Sequence, residues 1–373
     1  MLGYLILLLI FLLFFSLSFF FGFQEWFRPR DASPLPVDVE YVRVENYFGV
    51  SFRKKMQEWL QTARTLPVPE SSEPLVQSLL ETPEGEKILV LVGGRLGSRQ
   101  EYEEVIYSEE DLLFLEPHSS FRGEIYSRGK LESGVGVRLR AVAADGDLTL
   151  GEHNTVARWV DARGKILLRK GTTVQSRVSS SESIELEPQV LVQSLYAPLV
   201  FTQGYRPLPG LLAGDILSNP LVAAPQFQNA NPSEVPAYLR GTRCSRLAAD
   251  TWLVQGDLQL ASDTRVESKL VIQGTLRSGP NCYFAGDLKA LRIELGARNR
   301  ILGNVVSESE VEIGTSSFVG RNVVAETDIV LRAGGRVGKP DALAAVSAGR
   351  EVRIEPDVAV CGKLVAGRSV MTL

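Results

Sequence analysis

Three cysteines, two histidines, one glycine-rich turn and a set of spaced glutamates are the residues of this 373-residue chain whose types could do chemistry. Cys244, Cys282 and Cys361 stand far apart, with no C-x-x-C pair and no neighbouring histidine, so neither a zinc site nor a disulfide framework is expected. His118 and His153 lie in no motif that would make either a general base, and both read as surface histidines. The run Gly93-Gly94-Arg95-Leu96-Gly97 follows an expected strand at 88–92 and precedes a helical stretch, with Glu116 near the distance at which a dinucleotide site holds its ribose acid. Its glycines lack the G-x-G-x-x-G spacing and no further β-α units follow, so a plain turn is expected and no cofactor. Glu185, Glu294 and Glu312 fall at one position of a repeat and point outward. Glycoside chemistry needs two carboxylates about 5–9 Å apart in a cleft, whereas a repeat places these three in a stacked, solvated column. No catalytic, cofactor-binding or metal-binding residue is predicted.

Composition narrows the classes further. Forty basic residues against 44 acidic ones leave a net charge of −4, which gives no electrostatic footprint for nucleic acid. A hydrophobic content of 45% excludes disorder for most of the chain.

Residues 2–23 carry no charge. Those 22 residues would span about 33 Å as a helix, against a hydrocarbon core of about 30 Å, so residues 1–27 are expected to form a transmembrane anchor through Leu5, Leu9, Leu13, Phe15 and Phe20. A cleaved signal peptide fits less well, because no basic n-region precedes the run and no small-residue cleavage site follows it. Arg28, Arg30 and Arg43 on the C-terminal side place the body in the cytoplasm, with a single pass through the inner membrane. Residues 28–115 read as a linker and a small α/β juxtamembrane region. Three prolines (Pro29, Pro34, Pro36) stiffen the linker, and Phe48, Phe52, Met56, Trp59 and Leu60 recur at helical spacing. That helix is expected to pack on its own domain; lying on a membrane surface is the alternative.

Residues 116–373 are organised by a repeat of about 18 residues. Taking the first apolar residue as offset 0, coils begin at Leu148, Ile166, Ile184, Leu258, Leu276, Ile293, Val311, Ile329 and Val352. Offsets 2, 8 and 12 are also apolar; among these 36 positions only Ser278 and Asp341 are not, and Val346 is the substitute for Asp341 after a five-residue lengthening. Alternate apolar residues at 0 and 2 make one short strand, and offsets 8 and 12 make two more. The fold class predicted is all-β, a triangular β-helix whose nine regular coils would rise about 43 Å. An insertion at about 197–251 interrupts it, and the coils on either side are expected to stack as one solenoid.

The segments Ile301-Leu302-Gly303-Asn304-Val305, Val319-Gly320-Arg321-Asn322-Val323 and Val360-Cys361-Gly362-Lys363-Leu364 resemble those of bactofilins, the polymer-forming cytoskeletal proteins of bacteria. The resemblance covers about 140–370. It implies a right-handed β-helix, end-to-end polymerisation without nucleotide, the lipid bilayer and further copies of the chain as partners, and a scaffolding role. Val352, Ile354, Val358, Val360 and Leu364 near the C-terminus are followed by no capping helix, and so are expected to stack on a second copy. The alternative from another class is an envelope enzyme or binding solenoid, of acyltransferase or carbohydrate type, with a site under the insertion.

Overall fold

The computed structural model describes residues 46–67, 76–92, 94–97, 101–205 and 235–373, together with Phe11. The expected anchor residues Leu5, Leu9, Leu13, Phe15 and Phe20, and residues 206–234 of the insertion, lie outside the described residues. Residues from Glu45 onward form one compact unit. Among the described residues the protein is all-β, with 53% strand and one complete helix, Tyr47–Thr62, and forms a β-solenoid of about 14 turns.

Short strands pair in parallel with their equivalents one coil away, which builds three columns. In the first, Leu131 stands opposite Leu148, Leu148 opposite Ile166, and Ile166 opposite Ile184. In the second, Leu139 faces Val156 and Val156 faces Val174. In the third, Ile125, Val142, Val160 and Val178 stack in turn. These ladders are the repeat read from the sequence, and their inward side chains are buried to within a few per cent. Burial of each is worth about 1.5–3 kcal/mol, and no single coil could achieve it alone. Val346 pairs with Val323, as the lengthened coil predicted. Leu195, and not the Tyr196 that an 18-residue step from Val178 selects, is the inward residue opposite Val178, because a register shift after Val174 shortens that coil by one residue.

The boundary expected at residue 116 moves back. Lys87–Leu91 already pairs in parallel with Val105–Ser108, Arg95–Leu96 with Phe114 and Leu115, and Glu101–Tyr102 with Ser120–Phe121. These first coils advance by 17 or 19 residues, with Tyr102 stacked on Phe121 at 4.9 Å, and so escape an 18-residue frame. The expected α/β region is therefore one helix and the opening coils of the solenoid.

The insertion also differs from expectation. Leu191–Thr202 is a long strand that completes a seventh level over Thr173–Ser180 and Ser183–Leu186. The Ile184 coil is covered by Val200, so it does not stack on the Leu258 coil. A second half-solenoid begins with Thr251–Val254 and winds through seven levels to the strand Ala359–Thr372. The two final strands then pair antiparallel, with Val192 opposite Val370, Leu195 opposite Leu364, and Val200 opposite Val360. The halves meet tail to tail. Two coils of the same hand meeting by their tails circulate in opposite senses, and this is why the pairing is antiparallel. The second half starts at the far end, where Tyr238 hydrogen-bonds Ser268 at 2.7 Å and Leu239 is fully buried. Tyr205, beside Arg336 near the joint, and Val235 thus stand toward opposite ends of that half, which is about 30 Å long.

The halves are also copies. Leu113 and Leu258, Leu131 and Leu276, Leu148 and Ile293, Ile166 and Val311, and Ile184 and Ile329 are each 145 residues apart and occupy the same column. The 17-residue coil falls in the same place in both, from Leu131 to Leu148 and from Leu276 to Ile293. One buried polar device repeats with the same offset. Asn299 Nδ2 donates to Ser278 Oγ at 2.6 Å while its Oδ1 accepts from the Cys282 backbone N–H at 2.6 Å. Asn154 does the same with Ser133 and the Val137 N–H. Ser278, which interrupts the apolar ladder at its offset, is a hydrogen-bonding post, as Ser133 is in the first half.

Truncating either side of the junction leaves a cavity beneath a covered end, so Leu195→Ala and Leu364→Ala are each expected to lower unfolding free energy by about 2–5 kcal/mol. Asn299→Ala, which orphans a buried N–H, is expected to cost about 1–3 kcal/mol. Urea denaturation checks both.

Candidate functional site

His118 and His153 sit at one corner of the coil with φ of 61° and 57°. The same corner holds Gly136, Gly171, Gln189, Asp263, Asn281, Arg298, Ser316, Gly334 and Asp357 in other coils, all with positive φ. The histidines are exposed occupants of a left-handed turn that most residues enter only at a cost. Cys361 and Cys282 are buried, and burial raises both thiols, Cys361 to about 11 with Asp341 adding to the effect. A thiol nucleophile needs the opposite shift. Arg95–Leu96 from the glycine-rich run is a strand of the first column, Arg95 reaches Glu116 at 3.5 Å, and a Cβ on Gly97 would meet the Glu116 side chain at 2.3 Å. That site is filled by its own chain, and the stretch after it continues as strand Glu101–Tyr102 instead of a helix. Among the described residues, no three metal-ligating side chains gather at one point.

Glu294 and Glu312 lie half-buried on adjacent levels on the outer side of the first column of the second half, whereas Glu185 holds the same coil position in the first half, beside Leu167, so the expected single stack of three does not form. Arg277 and Arg292 hold Glu294 at 2.8 and 2.9 Å, and Arg332 bridges Glu312 at 2.8 Å and Glu355 at 2.7 Å. The column is thus a zipper of alternating sign between coils, each exposed pair contributing about 0–1 kcal/mol. Further along, the Arg350 guanidinium holds the Asp328 carboxyl below its usual range against the pull of burial.

The helix Tyr47–Thr62 packs on its own domain. Phe52, Met56 and Trp59 cover the outer side of the third column of the first half, over Val90, Val105, Tyr107, Tyr126, Ala143 and Trp159. Arg53, 4% exposed, enters between the coils; its Nε donates to Asp145 at 2.7 Å, one terminal nitrogen to Asp161 and the other to the Ala144 carbonyl at 2.7 Å. Gly49 permits the approach, because a Cβ there would stand 2.2 Å from the Asp161 carboxylate. Ser179 and Tyr126 hydroxyls donate to Asp161 and Asp145 at 2.6 and 2.9 Å, which completes the network. Neither aspartate was foreseen, since each is a lone acid 92 or 108 residues from Arg53.

Val352, Ile354, Val358, Val360 and Leu364, the expected self-association surface, are each at most 1% exposed. The strand Leu191–Thr202 covers Val360 and Leu364 from within the same chain, and Thr202 Oγ1 accepts from the Val358 N–H at 2.9 Å. These residues carry an intramolecular joint, a correction to the sequence reading. The three bactofilin-like segments turn the corner between the second and third columns of the second half: Ile301 and Val319 pair on adjacent levels, as do Val305 and Val323, and the level of Val337 and Val346 separates them from Val360 and Leu364. Among the described residues, no helix is long and apolar enough to cross a membrane. No family model matches the chain, and no curated protein or solved structure matches it either.

Replacing Arg53 with Met leaves the buried Asp161 carboxylate without its cation, while the half-buried Asp145 keeps Arg163 at 3.4 Å, so stability is expected to fall by about 3–5 kcal/mol, with faster amide exchange across 47–62. The Tyr107 and Tyr126 hydroxyls are pushed up to about 12, by burial first and then by their bonds to Glu109 and Asp145. The unfolded chain loses these protons first, near pH 10, so the stability they contribute is intact below that pH and is lost as pH climbs to about 12. Phenolate absorbance followed beside circular dichroism checks the order. His118→Gly with His153→Gly is expected to leave stability unchanged or slightly raised, because glycine suits the turn.

Proposed function

We propose that this protein is a non-enzymatic structural scaffold of the bactofilin type. In this reading residues 2–23 cross the inner membrane once, and a right-handed solenoid stands in the cytoplasm and joins further copies of itself. The right-handed sense is the one favoured for parallel-strand crossovers. The observation that carries the reading is the joint itself: two copies of one coil stack are fused end on end into a continuous rod about 65 Å long, filled by aliphatic ladders.

Because the tails are consumed in that joint, association with further copies falls to the outer ends. Each end adds antiparallel strand to its third column. Val76–Glu81 and Arg64–Leu66 extend the first half, and Cys244–Ala248 extends the second. Cys244–Ala248 pairs on one side with Thr251–Val254 and exposes Leu247 at 58%. An edge of that kind accepts another strand through its main chain.

Electron microscopy and sedimentation of the full chain in detergent test this. Rods joined end to end are expected, growing longer with concentration, and Leu247→Lys should shorten them while leaving the unfolding midpoint within about 0.5 kcal/mol. Single rods at every concentration, or assemblies indifferent to Leu247→Lys, would overturn the proposal.

A further inference from the structure

The first half carries a surface that its copy lacks. At the corner between the second and third columns, Arg140, Arg158 and Arg177 stand on successive levels: the Arg158 N–H donates to the Arg140 carbonyl at 2.9 Å, and Arg177 is in register with Trp159. Glu124 is the carboxylate beside them, 2.9 Å from Arg140 and 3.8 Å from Arg158. The equivalent corner of the second half, 145 residues on, reads Ala285, Gly303 and Asn322, with the single arginine Arg321 beside Asn322. Since the same coil is built there with one arginine in place of three, the fold does not require the row.

The helix delivers apolar groups to the same place. Tyr47, Phe48 and Val50 are 59%, 44% and 50% exposed, although the face one turn on is fully packed. The Arg177 guanidinium lies over the Phe48 ring, 5.2 Å from its centroid, which fixes the aromatic cluster beside the arginine row. Lys54, exposed and one turn beyond Val50, extends the stripe with a further cation. Amphipathic aromatics flanked by guanidinium and ammonium groups match the boundary between anionic headgroups and acyl chains.

We infer that this edge of the first half lies on an anionic lipid surface, with Tyr47, Phe48 and Val50 entering the headgroup layer and Arg140, Arg158 and Arg177 pairing with lipid phosphates. The inference rests on the membrane-anchored reading above and adds which side of the rod faces the bilayer. A soluble polyanion would satisfy the arginines but leave the exposed aromatics in water, so lipid is the occupant the two features share.

The test uses the full chain with Cys244→Ser, a nitroxide at Val50→Cys or, as a control on the second half, at Leu343→Cys, and phosphatidylcholine vesicles with or without phosphatidylglycerol. With phosphatidylglycerol, the label at 50 should become accessible to oxygen and shielded from a water-soluble nickel complex, while the label at 343 stays aqueous. Joint replacement of Arg140, Arg158 and Arg177 by Gln should return the label at 50 to water while the chain still floats with the vesicles. A chain that floats with both vesicle types while position 50 stays aqueous overturns this surface and leaves the anchor standing. A chain that floats only with phosphatidylglycerol and buries position 50 supports the surface and refutes the anchor. A chain that floats with neither refutes both.

Discussion

A coil of parallel strands is satisfied along its length but not at its ends, where backbone N–H and C=O groups and a cross-section of apolar ladder face water together. Nearly everything unusual in this protein answers that constraint. The inner ends of the two half-solenoids cover one another through Leu191–Thr202 and Ala359–Thr372, and the outer ends are blunted by antiparallel strands and, in the second half, by Leu239. The placement of Tyr238 and Leu239 at the far end of the second half follows from the same need, since a second stack that closes onto the first tail first must be entered from that end.

Within the rod, chemistry is used for fit. Asn154 and Asn299 each satisfy a backbone N–H that the tight corner leaves without a strand partner. The histidines serve a backbone conformation that glycine fills elsewhere. The glutamate column is neutralised coil by coil by Arg277, Arg292 and Arg332. Departures from the duplicated pattern are the informative places, because the second half shows what the coil needs and the first half shows what has been added: Arg53 with its two aspartates, the helix that brings it, and the arginine corner.

The ladders were legible because period and burial coincide: Leu168, Leu186 and Ile313 are all inward, as alternate residues of short strands must be. The helix was legible from the spacing of Phe52, Met56 and Trp59. The joint was not, because Val192 to Val200 and Val360 to Leu364 look locally like one more parallel coil each, and nothing in local spacing distinguishes a parallel neighbour from an antiparallel one. The duplication is written in the sequence as a constant offset of 145, but a frame that scans coil by coil registers only the shorter period. The opening coils were lost for a smaller reason, steps of 17 and 19 residues where 18 was sought.

The tail-to-tail joint also imposes an order on biosynthesis. Coil-to-coil contacts close as soon as the next 18 or so residues emerge, but the joint ties Val190 to Thr372 across 182 positions. A nascent first half must therefore wait on the ribosome with its terminal ladder uncovered until almost the whole remaining polypeptide has been translated. During that interval the same edge is open to the wrong strand, including one from a neighbouring ribosome on the same message.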